Sequence, residues 1–242
     1  MTSVPLGGSH SEVATSAEAQ PHRWALSLWA RSFRSLARPI LLTRHLQHYC
    51  SPLTIEGLEH FDEVNGRSLI IANHTSHFDT IIVLSLLPQR IFRRTAVVAA
   101  ADRFYRERLK SAWYSLKYNA APIARGGGSA ALAYPAWLLQ RDWSLLIFPE
   151  GHRSRTGELL PFHAGPAILA VRQETPVLPI HIEGATDILP PGERVSRPAA
   201  VRIRIGAPLA FAAGDDIGQA KDRMETAMRD LAGQRELAGM SA

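Results

Sequence analysis

An imidazole and a carboxylate five positions apart offer acid-base chemistry in Asn73-His74-Thr75-Ser76-His77-Phe78-Asp79, directly after the apolar run Ser68-Leu69-Ile70-Ile71-Ala72. A run of that kind reads as a buried strand, and Phe78-Asp79-Thr80-Ile81-Ile82-Val83-Leu84 begins a segment with helical character. At such a junction the chain can turn so that Asp79 accepts a hydrogen bond from one ring nitrogen of His74. That bond fixes the tautomer and leaves the other nitrogen as a general base. The same spacing also allows Asp79 merely to cap the helix beginning near Thr80. A second polar cluster, Phe148-Pro149-Glu150-Gly151-His152-Arg153-Ser154, favours chemistry, because it too follows an apolar strand-like run, Leu145-Leu146-Ile147-Phe148. Two polar clusters at two strand ends suggest one shared site.

The elements that must position these clusters alternate between strand and helix. Strands are expected over 53–57, 68–72, 95–100 and 143–148, and helices over 78–87, stopped by Pro88, and 103–117. A helix over 129–140 is expected to be interrupted or bent at Pro135. After the second cluster come a short helix at 166–173, a Pro-containing strand at 176–182 suited to a sheet edge or a site wall rather than mid-sheet, and an alternating strand at 200–206 that should expose Arg202 and Arg204 on one face. A final amphipathic helix covers about 215–232. This order, without internal repeats, implies α/β layers: a single layered domain with a mostly parallel or mixed sheet flanked by helices.

Between them, Ala121-Pro122-Ile123-Ala124-Arg125-Gly126-Gly127-Gly128-Ser129 combines a fixed cation with backbone free to approach a ligand. It is not a P-loop, since the Gly-Lys-Ser/Thr ending is missing.

The segment 21–50 carries arginines at 31, 34 and 38 in helical spacing, with Trp, Leu and Phe over much of the remaining surface. Its charges disqualify it as a membrane span, which needs about 20 mostly apolar residues. Two readings stand for this amphipathic helical segment: a basic helix with aromatic anchors at a membrane interface, or a helix packed on the protein's own core.

At 242 residues and 46% hydrophobic the chain can bury a full core, so disorder is expected only locally, in the Ser-, Ala- and Gly-rich residues 1–20. No apolar core follows a basic start, so no signal peptide is expected there. The single cysteine, Cys50, excludes an internal disulfide and a cysteine-based zinc site. A net charge of +5 favours anionic partners, acidic lipid headgroups and phosphorylated metabolites among them. Nucleic acid is disfavoured, for want of a binding motif or an aromatic-basic platform.

With these motifs in view, the chain resembles the glycerolipid acyltransferases of the lysophosphatidic acid acyltransferase type, the PlsC-like group. The first family motif is matched by Asn73-His74 to Asp79, and the second, more loosely, by Ile123-Ala124-Arg125-Gly126. The third is matched by Phe148 to Ser154 and the fourth by Pro176-Val177-Leu178-Pro179-Ile180. His152 stands where the family usually has Thr.

The resemblance implies acyl transfer from acyl-coenzyme A or acyl carrier protein to the free hydroxyl of a lysophospholipid, with 1-acylglycerol 3-phosphate as the leading acceptor. Glycerol 3-phosphate or another lysolipid is the alternative acceptor, and a non-catalytic membrane-binding module the alternative class. His74 and Asp79 would be catalytic. Asn73, Arg125, Gly126, Glu150, Gly151 and Arg153 would bind substrate, with Arg125 and Arg153 on phosphate and Glu150 on a glycerol hydroxyl or holding Arg153. His77 is expected to be only a neighbour. No metal or cofactor is called for. The implied organisation is a tail (1–20), a membrane-associating helical segment (21–50) and an acyltransferase domain (51–242), peripheral on the cytoplasmic face of a membrane.

Overall fold

In β2 (Leu69–Ala72) every residue is buried, as a strand with helices on both faces requires. The computed structural model that shows this describes residues 22–101, 107–123, 128–190, 193 and 195–239. The segment 1–20, expected to be disordered, lies outside the described residues.

The other strands are β1 (Cys50–Glu56), β3 (Thr95–Ala100), β4 (Ala120–Ile123), β5 (Ser144–Ile147), β6 (Val177–Glu183) and β7 (Ala199–Ile205). They form one seven-stranded sheet in the order β1-β7-β6-β2-β5-β3-β4. From β6 to β4 every pairing is parallel; β7 runs antiparallel to β6, and β1 parallel to β7. The sheet is mixed.

The helices are α1 (Leu28–Arg38), α2 (Arg44–Tyr49), α3 (Asp79–Leu86), α4 (Gln89–Phe92), α5 (Arg108–Tyr118), α6 (Ala133–Leu139), α7 (Gly165–Arg172), α8 (Ala185–Ile188) and α9 (Ile217–Gly239). A π-helical stretch, Pro39–Thr43, joins α1 to α2. Alternation along β2 splits the core into two layers. Ile70 and Ala72 pack with α3 and the N-terminal segment, whereas Leu69 and Ile71 pack with α6, α7 and α9. The chain therefore leaves β2 over one face, through α3, and leaves the adjacent β5 over the other, through α7. Neighbouring parallel strands with connections to opposite faces open a crevice beyond their carboxyl ends, and both polar clusters sit there.

Three expectations are corrected. The proline-containing β6 lies inside the sheet, between β7 and β2. It is tolerated because Pro179 falls just past the last β6–β7 pair, Ile180 with Ile205, where its carbonyl still accepts the Gly206 amide at 2.9 Å. Arg204 is buried rather than exposed beside Arg202. It bridges Glu183 and Glu56 and donates to the Leu231 carbonyl, so the charge has partners within the fold. Pro135 does not bend a long helix; a 3-10 turn, Gly128–Leu132, leads into α6, and the proline sits in the first turn, where no amide is needed.

Candidate active site

The turn after β2 is held first by Asn73. Its side-chain amide donates to the Ile182 carbonyl at 2.8 Å and accepts the Ile182 amide at 2.7 Å, copying a strand pairing one step beyond Ala72 and Ile180. Asn73 was expected to touch substrate; its polar atoms are committed to β6, and it is buried.

His74 emerges from this pinned turn. Its Nδ1 lies 2.8 Å from Asp79 Oδ2, and the same oxygen accepts the amides of Thr75 at 2.7 Å and Ser76 at 2.8 Å. Two main-chain amides aim at Oδ2 as their acceptor, and with Nδ1 as the third donor to that oxygen Nε2 holds the lone pair. Asp79 is the first residue of α3, where the helix dipole favours negative charge, and it is wholly buried. The His74 ring lies against the ring of Phe148, 4.2 Å between centroids and 22° from parallel, and keeps 21% of its side chain exposed. The imidazole is oriented on two sides and open on another.

The second cluster grips the main chain of the first. Glu150 Oε1 accepts the His74 amide at 2.7 Å, and the Ser154 amide donates to the His74 carbonyl at 2.8 Å. Glu150 Oε2 takes the Leu160 amide at 3.1 Å. With 1% exposure and both oxygens on main-chain donors, Glu150 ties two loops together. Burial pushes its carboxyl above the usual range, while the two amides and the nearby imidazole pull the other way. Gly151 turns with φ +71°, and a Cβ there would lie 2.8 Å from the His163 ring, so its smallness serves packing inside the loop. His152 is exposed, and its Nδ1 donates to the Glu150 carbonyl at 2.8 Å. Arg153 is half-buried, and His77 is exposed. Arg125 and Gly126 lie outside the described residues.

Four partners were invisible from sequence: the Phe148 ring, the Thr75 and Ser76 amides, and the Ile182 main chain. Only Phe148 left a signal, as the apolar residue that opens the second cluster.

The N-terminal segment packs its arginines on the rest of the fold and leaves apolar side chains exposed. α1 turns its arginines inward onto carbonyls at the ends of other helices. Arg31 donates to Arg93 after α4, and Arg38 to Ser85 and Leu87 at the end of α3. Arg34 donates to Ser115 and Leu116 in the last turn of α5 and to Ala25. Cations suit helix C-termini, where carbonyls lack partners. Burial, with Arg31 alongside, brings the Arg34 guanidinium down to about 10, so it remains charged at neutral pH. The apolar residues face outward instead. Leu28, Trp29, Phe33, Leu36 and Ile40 are exposed, joined on the adjacent α5 by Leu109 and Trp113. Among the described residues no helix is long and apolar enough to cross a membrane.

The fold matches the crystal structure of the 1-acyl-sn-glycerophosphate (LPA) acyltransferase PlsC from Thermotoga maritima, with a TM-score of 0.62 and 22% identity over 86% of this chain and 78% of that one. The family model for Acyltransferase matches residues 52–183, and the chain belongs to that family. A 1-acyl-sn-glycerol-3-phosphate acyltransferase of Cocos nucifera is 30% identical over 66% of this chain and 50% of its own length. The human 1-acyl-sn-glycerol-3-phosphate acyltransferase alpha is 26% identical over 78% of this chain and 66% of its own. The chain thus spans about half the length of the Cocos nucifera relative.

Proposed function

We propose that the protein transfers a fatty acyl group from acyl-coenzyme A or acyl carrier protein to the free hydroxyl of 1-acylglycerol 3-phosphate, giving phosphatidic acid. The observation that carries this reading is the 2.8 Å bond from His74 Nδ1 to the buried Asp79, which leaves Nε2 as the base on a ring that stays 21% exposed. Membership of the Acyltransferase family and the names of the relatives support the same chemistry.

In this scheme Nε2 takes the proton of the acceptor hydroxyl as its oxygen attacks the thioester carbonyl, a contribution of about 10²–10⁴ in rate. Asp79 stabilises the imidazolium that forms. When the tetrahedral intermediate collapses, the carbon–sulfur bond breaks and the imidazolium returns its proton to the departing thiolate. An ester and a free thiol result. Arg125 and Arg153 are assigned to the acceptor phosphate, and no metal or cofactor enters the scheme. The outward apolar stripe on α1 and α5 supports peripheral seating on a membrane, assigned to its cytoplasmic face, with the lipid acceptor presented from that surface.

The test is a panel of lysolipids and glycerol 3-phosphate, each offered acyl-coenzyme A and acyl carrier protein, with products identified by mass. Phosphatidic acid as the main product, lost in His74→Ala while folding and liposome binding persist, supports the reading. Unchanged turnover in His74→Ala ends it. Preferential acylation of glycerol 3-phosphate or another lysolipid would keep the chemistry and replace the acceptor.

A further inference from the structure

We infer that Arg38 is a positioning residue for the His74–Asp79 pair, acting on α3 from the end opposite the carboxylate. The kinetic consequence rests on the proposed function; the geometric one does not.

α3 has eight residues, about 12 Å of helix, and Asp79 is the first of them. The carboxylate therefore moves with the helix rather than with a free loop. The far end of α3 has no left-handed residue to close it, because Leu87 is extended (φ −55°, ψ 131°) and Pro88 follows. Carbonyls of the last turn need outside donors. Arg38 supplies them, donating to the Ser85 and Leu87 carbonyls at 2.6 Å each, while its guanidinium lies 4.5 Å from the centre of the Phe92 ring in α4. Nη2 donates both of these bonds and Nη1 donates to the Gln89 side-chain oxygen at 3.4 Å, so the planar fork is held in direction as well as distance.

The same stretch of chain reaches the other end of α3. Eleven positions after Arg38, the Tyr49 ring meets the Phe78 ring edge-on at 5.0 Å, and Phe78 directly precedes Asp79. Cys50 follows, buried in the layer that includes Phe78; burial and then the charge of Asp79 push its thiol up to about 12. Between these points the π-helical stretch and α2 both pack on α3. Residues 38–50 thus brace α3 along its length, and Arg38 is the charged end of that brace.

Releasing it lets α3 shift along its axis and lengthens the Asp79 bond to His74. A displacement of about 1 Å at a reacting group costs up to about a hundredfold in rate. Arg38→Met keeps the stem and removes the donors; Arg38→Lys keeps the charge without the fork. In substrate-free protein the downfield Nδ1 proton resonance of His74 should move in Arg38→Met and return part-way in Arg38→Lys. With acyl-coenzyme A and 1-acylglycerol 3-phosphate, kcat should fall about tenfold or more with KM within twofold of wild type. Wild-type resonance and kcat in Arg38→Met, whatever its melting temperature, overturn the inference. If Arg38→Met does not fold, an unmoved resonance in Arg38→Lys does so instead. Wild-type protein without turnover would refute the proposed function alone, because the resonance is read without substrate.

Discussion

Glu150 accepts the main-chain amide of His74 at 2.7 Å, so a residue of the second polar cluster supports the imidazole of the first. Glu150→Gln can satisfy only one of the two amides that the carboxylate now serves, since its NH₂ would face the other. The variant should lose about 1–3 kcal/mol of stability by denaturant titration. Acyl transfer should fall with it, because His74 loses its main-chain anchor; full activity would show that Ser154 and Asn73 hold the turn unaided.

Asp79→Asn should be milder than Asp79→Ala. The amides of Thr75 and Ser76 select an oxygen at the Oδ2 position, so the asparagine carbonyl should still accept the His74 Nδ1 proton; the charge is lost, and the NH₂ takes the buried Oδ1 position, which has no hydrogen-bond partner among the described residues. The difference between a charged and a neutral acceptor is about 1–1.5 kcal/mol, or roughly tenfold in kcat. Asp79→Ala, which also frees the ring, should approach the His74→Ala rate. Equal rates for Asn and Ala would mean that the amides do not choose the oxygen.

The two faces of α1 and the π-helical stretch that continues it should respond oppositely. Replacing Trp29, Phe33, Leu36 and Ile40 by Ser changes exposed positions, so each should alter stability by less than about 0.5 kcal/mol while sedimentation with vesicles is lost. Arg34→Met should cost about 1–3 kcal/mol, because three carbonyls lose a donor. Vesicle binding that survives the Ser substitutions would remove the stripe from the lipid-facing role.

His181 makes folding acid-sensitive. Burial, and then the charge of Arg204, lower its imidazole to about 4 against the pull of Glu183, and its Nδ1 has no hydrogen-bond partner among the described residues. Between pH 6.5 and 4 the unfolded chain takes up a proton that the folded one refuses, so stability falls as pH falls through that window. His181→Leu should lose less stability than wild type between pH 7 and pH 4.5, read as denaturation midpoints. Parallel pH profiles would show that the buried ring is not the source.

The sequence by itself determined what local pattern can encode: the strands that deliver the clusters, the pairing of His74 with Asp79 across a strand-to-helix turn, and the α/β alternation. Apolar runs and short-range spacing carry that information because strands and helices have fixed periods. Only the tertiary structure decided partners distant in sequence. Asn73 and Glu150 carry polar side chains that suit substrate or main chain equally, and β6 and the 150–160 loop had to come alongside before the main chain claimed them. The arginines of α1 were legible as a charged face, but which way that face pointed depended on three helix ends meeting it. Likewise Arg204 alternates as if exposed, and Glu183 and α9 enclose it. A charge in a sequence states a need for partners; the fold chooses them, because desolvation makes an unpaired buried charge too costly to leave.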